Sequence, residues 1–214
     1  MSEIVLCMMA HPDDEVLGCG GTLAKHVASG AQVHARFLST GVGSRLHSLS
    51  DENPRLAEMC KAAKMLGLVS VDNADIADQC FDMAGQLRIN RIVEAWLVEL
   101  QPTVIYTHSP HDSNRDHRIT SEAVMVATRP WKYGPPVTVF GCEIVGAELE
   151  PDIWVRLGLE HQEAKLRALA AYESESQDAP GPRSAWAQRA RMETRGAEAA
   201  WLWAEAFEVL RWVR

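Results

Sequence analysis

The run Ile4-Val5-Leu6-Cys7-Met8-Met9 leads directly into Ala10-His11-Pro12-Asp13-Asp14-Glu15. An unbroken apolar run has no polar face, which predicts a strand covered on both sides, as in the middle of a parallel sheet. Val16 to Ala28 then follows a helical pattern. The polar side chains between strand and helix therefore sit at the strand's C-terminal end, where open α/β sheets bind ligands. Capping of the next helix would explain one Asp. It explains neither the histidine nor a second adjacent aspartate. The stretch reads as half of a metal site.

The same alternation continues down the chain. Gln32 to Ser39 predicts a second strand, and Arg55 to Leu66 a helix opened by Asn53-Pro54 and stopped by Gly67. Val69 to Val71 suits a short strand and Asp72 to Gln79 a polar loop. Leu87 to Leu100 predicts an amphipathic helix, Thr103 to Thr107 a buried strand, Arg118 to Thr128 a helix, and Val137 to Val145 a strand. Leu159 to Tyr172 and Ser184 to Ala200 read as helices, with Ala204 to Val213 as a closing strand. Strand and helix in repeated succession predict an α/β, Rossmann-like, mostly parallel sheet flanked by helices. No linker interrupts residues 1–214, so a single domain is expected.

The totals narrow the function. A chain of 214 residues with formal charge −8 lacks the basic footprint that nucleic acid requires. Its five cysteines are dispersed without a C-x-x-C pair, so neither a thiolate zinc site nor a disulfide framework is expected. That pattern, an N-terminal run too short for a signal peptide and the lack of a run of ~20 apolar residues predict a cytoplasmic protein without a membrane span.

The second half of the site follows the strand Thr103 to Thr107. His108-Ser109-Pro110-His111-Asp112-Ser113-Asn114-Arg115-Asp116-His117 is again a polar cluster at a strand's C-terminal end. His11, Asp14 and His117 would form a set of two imidazoles and one carboxylate that leaves a coordination position open, as catalytic zinc sites do. Asp13 would then be free to take a proton from water. The same donor set also suits non-haem Fe(II).

Taken together, Ala10-His11-Pro12-Asp13-Asp14-Glu15 and Asp112-x-Asn114-x-Asp116-His117 resemble the LmbE/PIG-L family of metal-dependent N-deacetylases. Arg55-x-x-Glu58 with Leu66-Gly67, Phe81-Asp82 and Ala204-Glu205-Ala206-Phe207 extend the likeness over most of the chain. The resemblance implies Zn²⁺, with Fe²⁺ as the alternative, and removal of acetyl from an N-acetylated amino sugar that is free, nucleotide-linked or part of a glycoconjugate. It implies His11, Asp14 and His117 as metal ligands, Asp13 as general base, and Asp116 as the partner that orients a nearby histidine. Arg55 and Asp82 fall where relatives contact substrate hydroxyls. Several relatives carry His where this chain has Asn114, a residue that can donate a hydrogen bond to the reacting oxygen but cannot titrate. The expectation is that Asp13 acts as base and then as acid, with His108 or His111 as a substitute for the missing histidine. Arg45 is a further candidate for substrate contact. Rival readings are cleavage of a non-sugar N-acyl metabolite or thiol conjugate, and a non-catalytic sugar-binding protein.

Other features have plainer explanations. Gly18-Cys19-Gly20-Gly21 is not a G-x-G-x-x-G dinucleotide motif, because Leu23 holds the last glycine's place. Close packing is the simpler reason for these glycines. The cluster Arg183, Arg189, Arg191 and Arg195 reads as a solvated helix face, with phosphate binding as the sharper alternative. Trp186, Trp201, Trp203 and Trp212 suit the core, a sugar-stacking surface or the interface of a homo-oligomer.

Overall fold

A computed structural model describes residues 2–41, 54–130 and 136–213. Its centre is β1 (Ile4–Met9), and the unbroken apolar run explains why. Val5, Cys7 and Met9 point into one core cluster, while Leu6, Met8 and Ala10 point into the other. Both faces of the strand are covered, so no polar alternation is needed.

The remaining elements are α1 (Asp14–Ala28), β2 (Gln32–Phe37), α2 (Pro54–Leu66), β3 (Ser70–Asn73), α3 (Phe81–Ala84), α4 (Gln86–Leu100), β4 (Val104–His108) and α5 (Arg115–Ala127). They are followed by β5 (Thr138–Cys142), β6 (Ile153–Arg156), α6 (Leu159–Leu169), a 3₁₀ turn at Glu173–Glu175, α7 (Ala185–Glu198) and β7 (Ala204–Arg211). One seven-stranded sheet has the order β3-β2-β1-β4-β5-β7-β6. Strands β1 to β5 pair in parallel, and β7 is inserted antiparallel between β5 and β6. The architecture is the α/β, mostly parallel sheet expected. Strand β6 was not anticipated, because four half-buried residues carry too little pattern to distinguish a strand from a loop.

This order positions the site. The chain leaves β1 toward β2 and β3 on one side, then returns to place β4 on the other. The gap between the C-terminal ends of β1 and β4 is thus the switch point of the sheet, where the two connections diverge and leave a crevice. His11 follows β1, and His108 to His117 follows β4.

Helix α1 is broken at Cys19, whose φ of −147° is not helical. The second half therefore begins with its own unsatisfied N–H groups, and Glu205 on β7 accepts from Gly21 N (3.0 Å) and Thr22 N (2.7 Å). A Cβ on Gly18 would come within 2.9 Å of the Cys142 Cβ, and one on Gly21 within 2.6 Å of Leu157 Cδ1. Close approach is what these glycines provide. Among the described residues, no helix is long and apolar enough to cross a membrane. All five cysteines are free.

Candidate active site

Three side chains from the two switch-point loops converge. His11 leaves β1, Asp14 opens α1, and His117 lies in the first turn of α5. Asp14 Oδ2 is 3.5 Å from His11 Nδ1 and 3.4 Å from His117 Nε2. All three residues are buried, and a ligand atom from each lies within 4.8 Å of the others, so this His/Asp/His group could hold a metal ion.

The surroundings of each imidazole show how well the group suits a cation. His117 Nδ1 is 2.9 Å from Asp112 Oδ2; a proton held there leaves the Nε2 lone pair facing Asp14. His11 Nε2 lies 3.1 Å from Asp78 Oδ1 and 3.4 Å from Asp116 Oδ2, within ion-pair reach but off hydrogen-bond alignment. A proton on that nitrogen leaves His11 Nδ1 directed at Asp14. A carboxylate behind each ligating imidazole is the usual means of fixing tautomer and ring orientation in metal sites. Burial alone would lower the His11 pKa, but Asp116, Asp14 and Asp78 hold it well above the ordinary value. Burial alone would raise Asp14, yet His117, His11 and His108 hold it far below the usual carboxylate range. Imidazoles flanked by this many carboxylates are a setting that favours a cation.

Asp13 stands beside this group in an unusual backbone state. Its φ of 103° falls in the region that favours glycine, and its side chain makes no capping bond to α1 although it occupies the N-cap position. The carboxylate instead turns toward two arginines. Arg55 Nη2 is 3.2 Å from Oδ1, and Arg183 Nε is 3.1 Å from Oδ2. Burial and the neighbouring Asp14 charge push the Asp13 pKa up to about 6, against the pull of Arg55, Arg183 and His11. A buried carboxylate near neutrality is suited to both taking and returning a proton.

The other residues singled out by the sequence fall as follows. Asp116 accepts from Gln79 N and Phe81 N and faces His11. Asn114 caps α5, accepting from Asp116 N at 2.9 Å, so its carbonyl oxygen is committed to the helix. Arg55 is buried against Gly41, Pro12, Asp13 and Glu175, beneath Asp13 and away from solvent. That burial leaves it ill placed to read substrate hydroxyls directly. His108 is also fully buried. Its Nε2 accepts from Ala10 N at 2.8 Å, and its ring stacks on His117 with centroids 3.9 Å apart. His108 therefore packs beneath His117, closed off from solvent. Burial and the His117 charge push its pKa well below the ordinary value, which suits a neutral acceptor. His111 points outward toward Glu208, 3.8 Å away. Asp82 is exposed, paired with Arg115 at 3.1 Å in a groove also lined by Gln86, Arg118 and Glu122. Arg45 lies outside the described residues. Trp186, Trp201 and Trp212 are exposed and contribute little to the core.

Sequence reasoning missed Asp78, Glu15 and Tyr172. Asp78 lies in the loop after β3, the C-terminal end of a parallel strand, and that topological place was the available signal. Glu15 and Tyr172 are buried together behind Asp13.

Comparison with known proteins bears on this geometry. Residues 6–128 match the family described as PIG-L, GlcNAc-PI de-N-acetylase. The 1D-myo-inositol 2-acetamido-2-deoxy-alpha-D-glucopyranoside deacetylase of Mycolicibacterium smegmatis is 28% identical over 199 residues, covering 74% of this chain and 69% of its own. The N,N'-diacetylchitobiose deacetylase of Pyrococcus horikoshii superposes with a TM-score of 0.80 at 22% identity, covering 98% of this chain and 84% of the other. GalB of Pseudomonas putida KT2440, a 4-carboxy-2-hydroxymuconate hydratase, superposes with a TM-score of 0.77 at 21% identity, covering 100% and 98%. Structural likeness at these identities establishes the fold and leaves the reaction to the site.

Proposed function

The chain belongs to the PIG-L, GlcNAc-PI de-N-acetylase family and is an N-deacetylase-type hydrolase, and from that premise we propose that it removes the acetyl group from an N-acetylated amino sugar with the help of Zn²⁺. The observation that carries this reading is the pairing of a carboxylate-oriented His11/Asp14/His117 group with a neighbouring carboxylate, Asp13, whose side chain is turned away from helix capping and held by Arg55 and Arg183. A sugar substrate is favoured because the M. smegmatis relative is named for an acetamido sugar.

In this reading His11, Asp14 and His117 would hold the ion, which would supply Lewis-acid polarisation of the amide carbonyl and acidify water. Asp112 holds His117 in the ligating tautomer through its hydrogen bond, and the charges of Asp78 and Asp116 favour a proton on His11 Nε2. Asp13 removes a proton from the attacking water and returns it to the departing amine nitrogen, which leaves only when protonated. Arg55 and Arg183 fix the two Asp13 oxygens, so the carboxylate reaches the reacting atoms without reorganising. The amide group of Asn114, whose oxygen caps α5, retains its N–H donors for the reacting oxygen. Residues 1–214 act as one catalytic unit, because Arg183 reaches Asp13 from the C-terminal third.

The test is acetate release by the metal-loaded protein from N-acetylglucosamine, N,N'-diacetylchitobiose and a nucleotide-linked N-acetylglucosamine, with bound metal counted by plasma mass spectrometry. Acetate from at least one sugar, with about one zinc per chain, is expected. Acetate only from non-sugar N-acyl compounds would reassign the substrate, and metal without any amide cleavage would sink the deacetylase reading. Replacement of His11 or His117 by Ala is expected to remove the metal.

A further inference from the structure

Glu15 closes the motif that the sequence puts first, yet the chemistry above makes no use of it. It is 1% exposed and has no cationic partner among the described residues. A buried carboxyl group is costly unless its oxygens are bonded. Both are bonded here, one to the backbone of Asp13 and the other to Tyr172. Glu15 Oε2 accepts from the Asp13 backbone N–H at 3.0 Å, and Glu15 Oε1 accepts from the Tyr172 hydroxyl at 2.5 Å. Tyr172 is itself 1% exposed, so its hydroxyl has no access to solvent as an alternative.

The backbone explains why such an arrangement is needed. A helix N-cap Asp ordinarily turns its own side chain onto the N–H groups of the first turn. At Asp13 this would consume the carboxylate. The positive φ of Asp13 swings the side chain away from α1, but a non-glycine residue holds that state only when its surroundings over-determine it. Glu15, the second residue of α1, reaches back to the Asp13 N–H as the return half of a capping box does. Tyr172 fixes Glu15 from beyond α6. We propose that Glu15 and Tyr172 are positioning residues for the reaction: together they lock Asp13 in its left-handed conformation and so hold its carboxylate free of α1, between Arg55 and Arg183. The inference rests on the role given to Asp13 above.

Glu15→Gln keeps one oxygen for the Asp13 N–H and an amide that can donate to the Tyr172 oxygen, so it serves as the conservative rescue. Glu15→Ala removes both bonds, and Tyr172→Phe removes one. With zinc-loaded protein and N,N'-diacetylchitobiose as probe, kcat is expected to fall about 100-fold in Glu15→Ala, as for a misplacement of roughly 1 Å. Tyr172→Phe is expected to fall about 10-fold, and Glu15→Gln to stay within about threefold; these are order-of-magnitude expectations from the same positional argument. KM and zinc content should not change in any of them. Crystal structures provide the readout that does not depend on activity: the Asp13 φ should turn negative in Glu15→Ala and remain positive in Glu15→Gln. If Glu15→Ala fails to fold, Tyr172→Phe and Glu15→Gln carry the comparison. Unchanged kcat in Tyr172→Phe, loss of zinc in parallel with kcat, or an Asp13 that keeps its positive φ in Glu15→Ala would each overturn the inference. If the wild-type protein releases no acetate, the deacetylase reading fails, and the Asp13 conformation still decides whether Glu15 and Tyr172 hold it.

Discussion

Asp13 combines a chemical demand with a conformational cost. Replacing it by Ala should lower kcat by about 10²- to 10⁴-fold, the usual worth of a positioned proton carrier, while zinc content stays at the wild-type level. Replacing it by Gly should lower kcat equally but leave the protein more stable than the Ala variant. A non-glycine residue held at positive φ costs of order 1 kcal/mol or more. In a chain of this size 1 kcal/mol corresponds to about 2–4 °C in Tm, readable by calorimetry of the two variants. Equal melting temperatures would show that the backbone there is not strained. Asp112→Ala should spare the fold yet weaken zinc binding about 10- to 100-fold in competition with a chelator, because the His117 tautomer is then unfixed. His11, Asp14 and His117 were legible as a set because each belongs to a short polar cluster directly after a buried strand. Tyr172 was not, because its role depends on where α6 comes to rest, and no local pattern encodes that. The burial of Arg55 and His108 was not legible either, for a related reason. A polar residue near a site suggests contact with substrate, and only burial distinguishes a support from a contact.

At the scale of elements, the break in α1 at Cys19 shows how a local defect is satisfied from a distance. The two N–H groups it exposes are taken by Glu205, whose charge is matched by Lys165 at 2.7 Å, and Lys165 also donates to Leu17 O at 2.8 Å. Both side chains are buried. Removing one member of such a pair leaves the other as an uncompensated charge, so Glu205→Ala should cost about 3–5 kcal/mol in urea unfolding. Lys165→Met should cost less, since the Glu205 carboxylate keeps two N–H donors at a helix N-terminus, which itself favours negative charge. If the Lys165 variant proves the less stable of the two, the carboxylate is not the cap that holds the second half of α1. The sequence made the helix and the glycines readable but not the break, because the Glu205 that takes its N–H groups, and the Cys142 and Leu157 that crowd the flanking glycines, lie in distant segments.

On the scale of the whole molecule, alternation of strand and helix was sufficient to predict the sheet, since each buried parallel strand leaves an apolar run that few other structures can accommodate. It was not sufficient to place the last third. The matched family region ends at residue 128, yet β7 enters the sheet between β5 and β6, with Phe207 fully buried against Tyr106 at 5.0 Å between ring centroids. The same third supplies Tyr172, Glu175 and Arg183 to the surroundings of Asp13. A chain truncated after Gly158 would expose the edge of β5, leave β6 without its partner β7, strip the cap from the second half of α1 and release Asp13 from Arg183. An unpaired sheet edge is a template for association, so the truncated chain should aggregate or lack a cooperative transition by circular dichroism and size-exclusion chromatography. A monomeric fragment that melts cooperatively would mean that the matched region folds alone and that the C-terminal third is an accessory. The contacts around Asp13 argue the opposite, because Arg183 bonds its carboxylate and Tyr172 bonds the Glu15 that accepts from its backbone N–H, so these surroundings are complete only when the chain has closed over them.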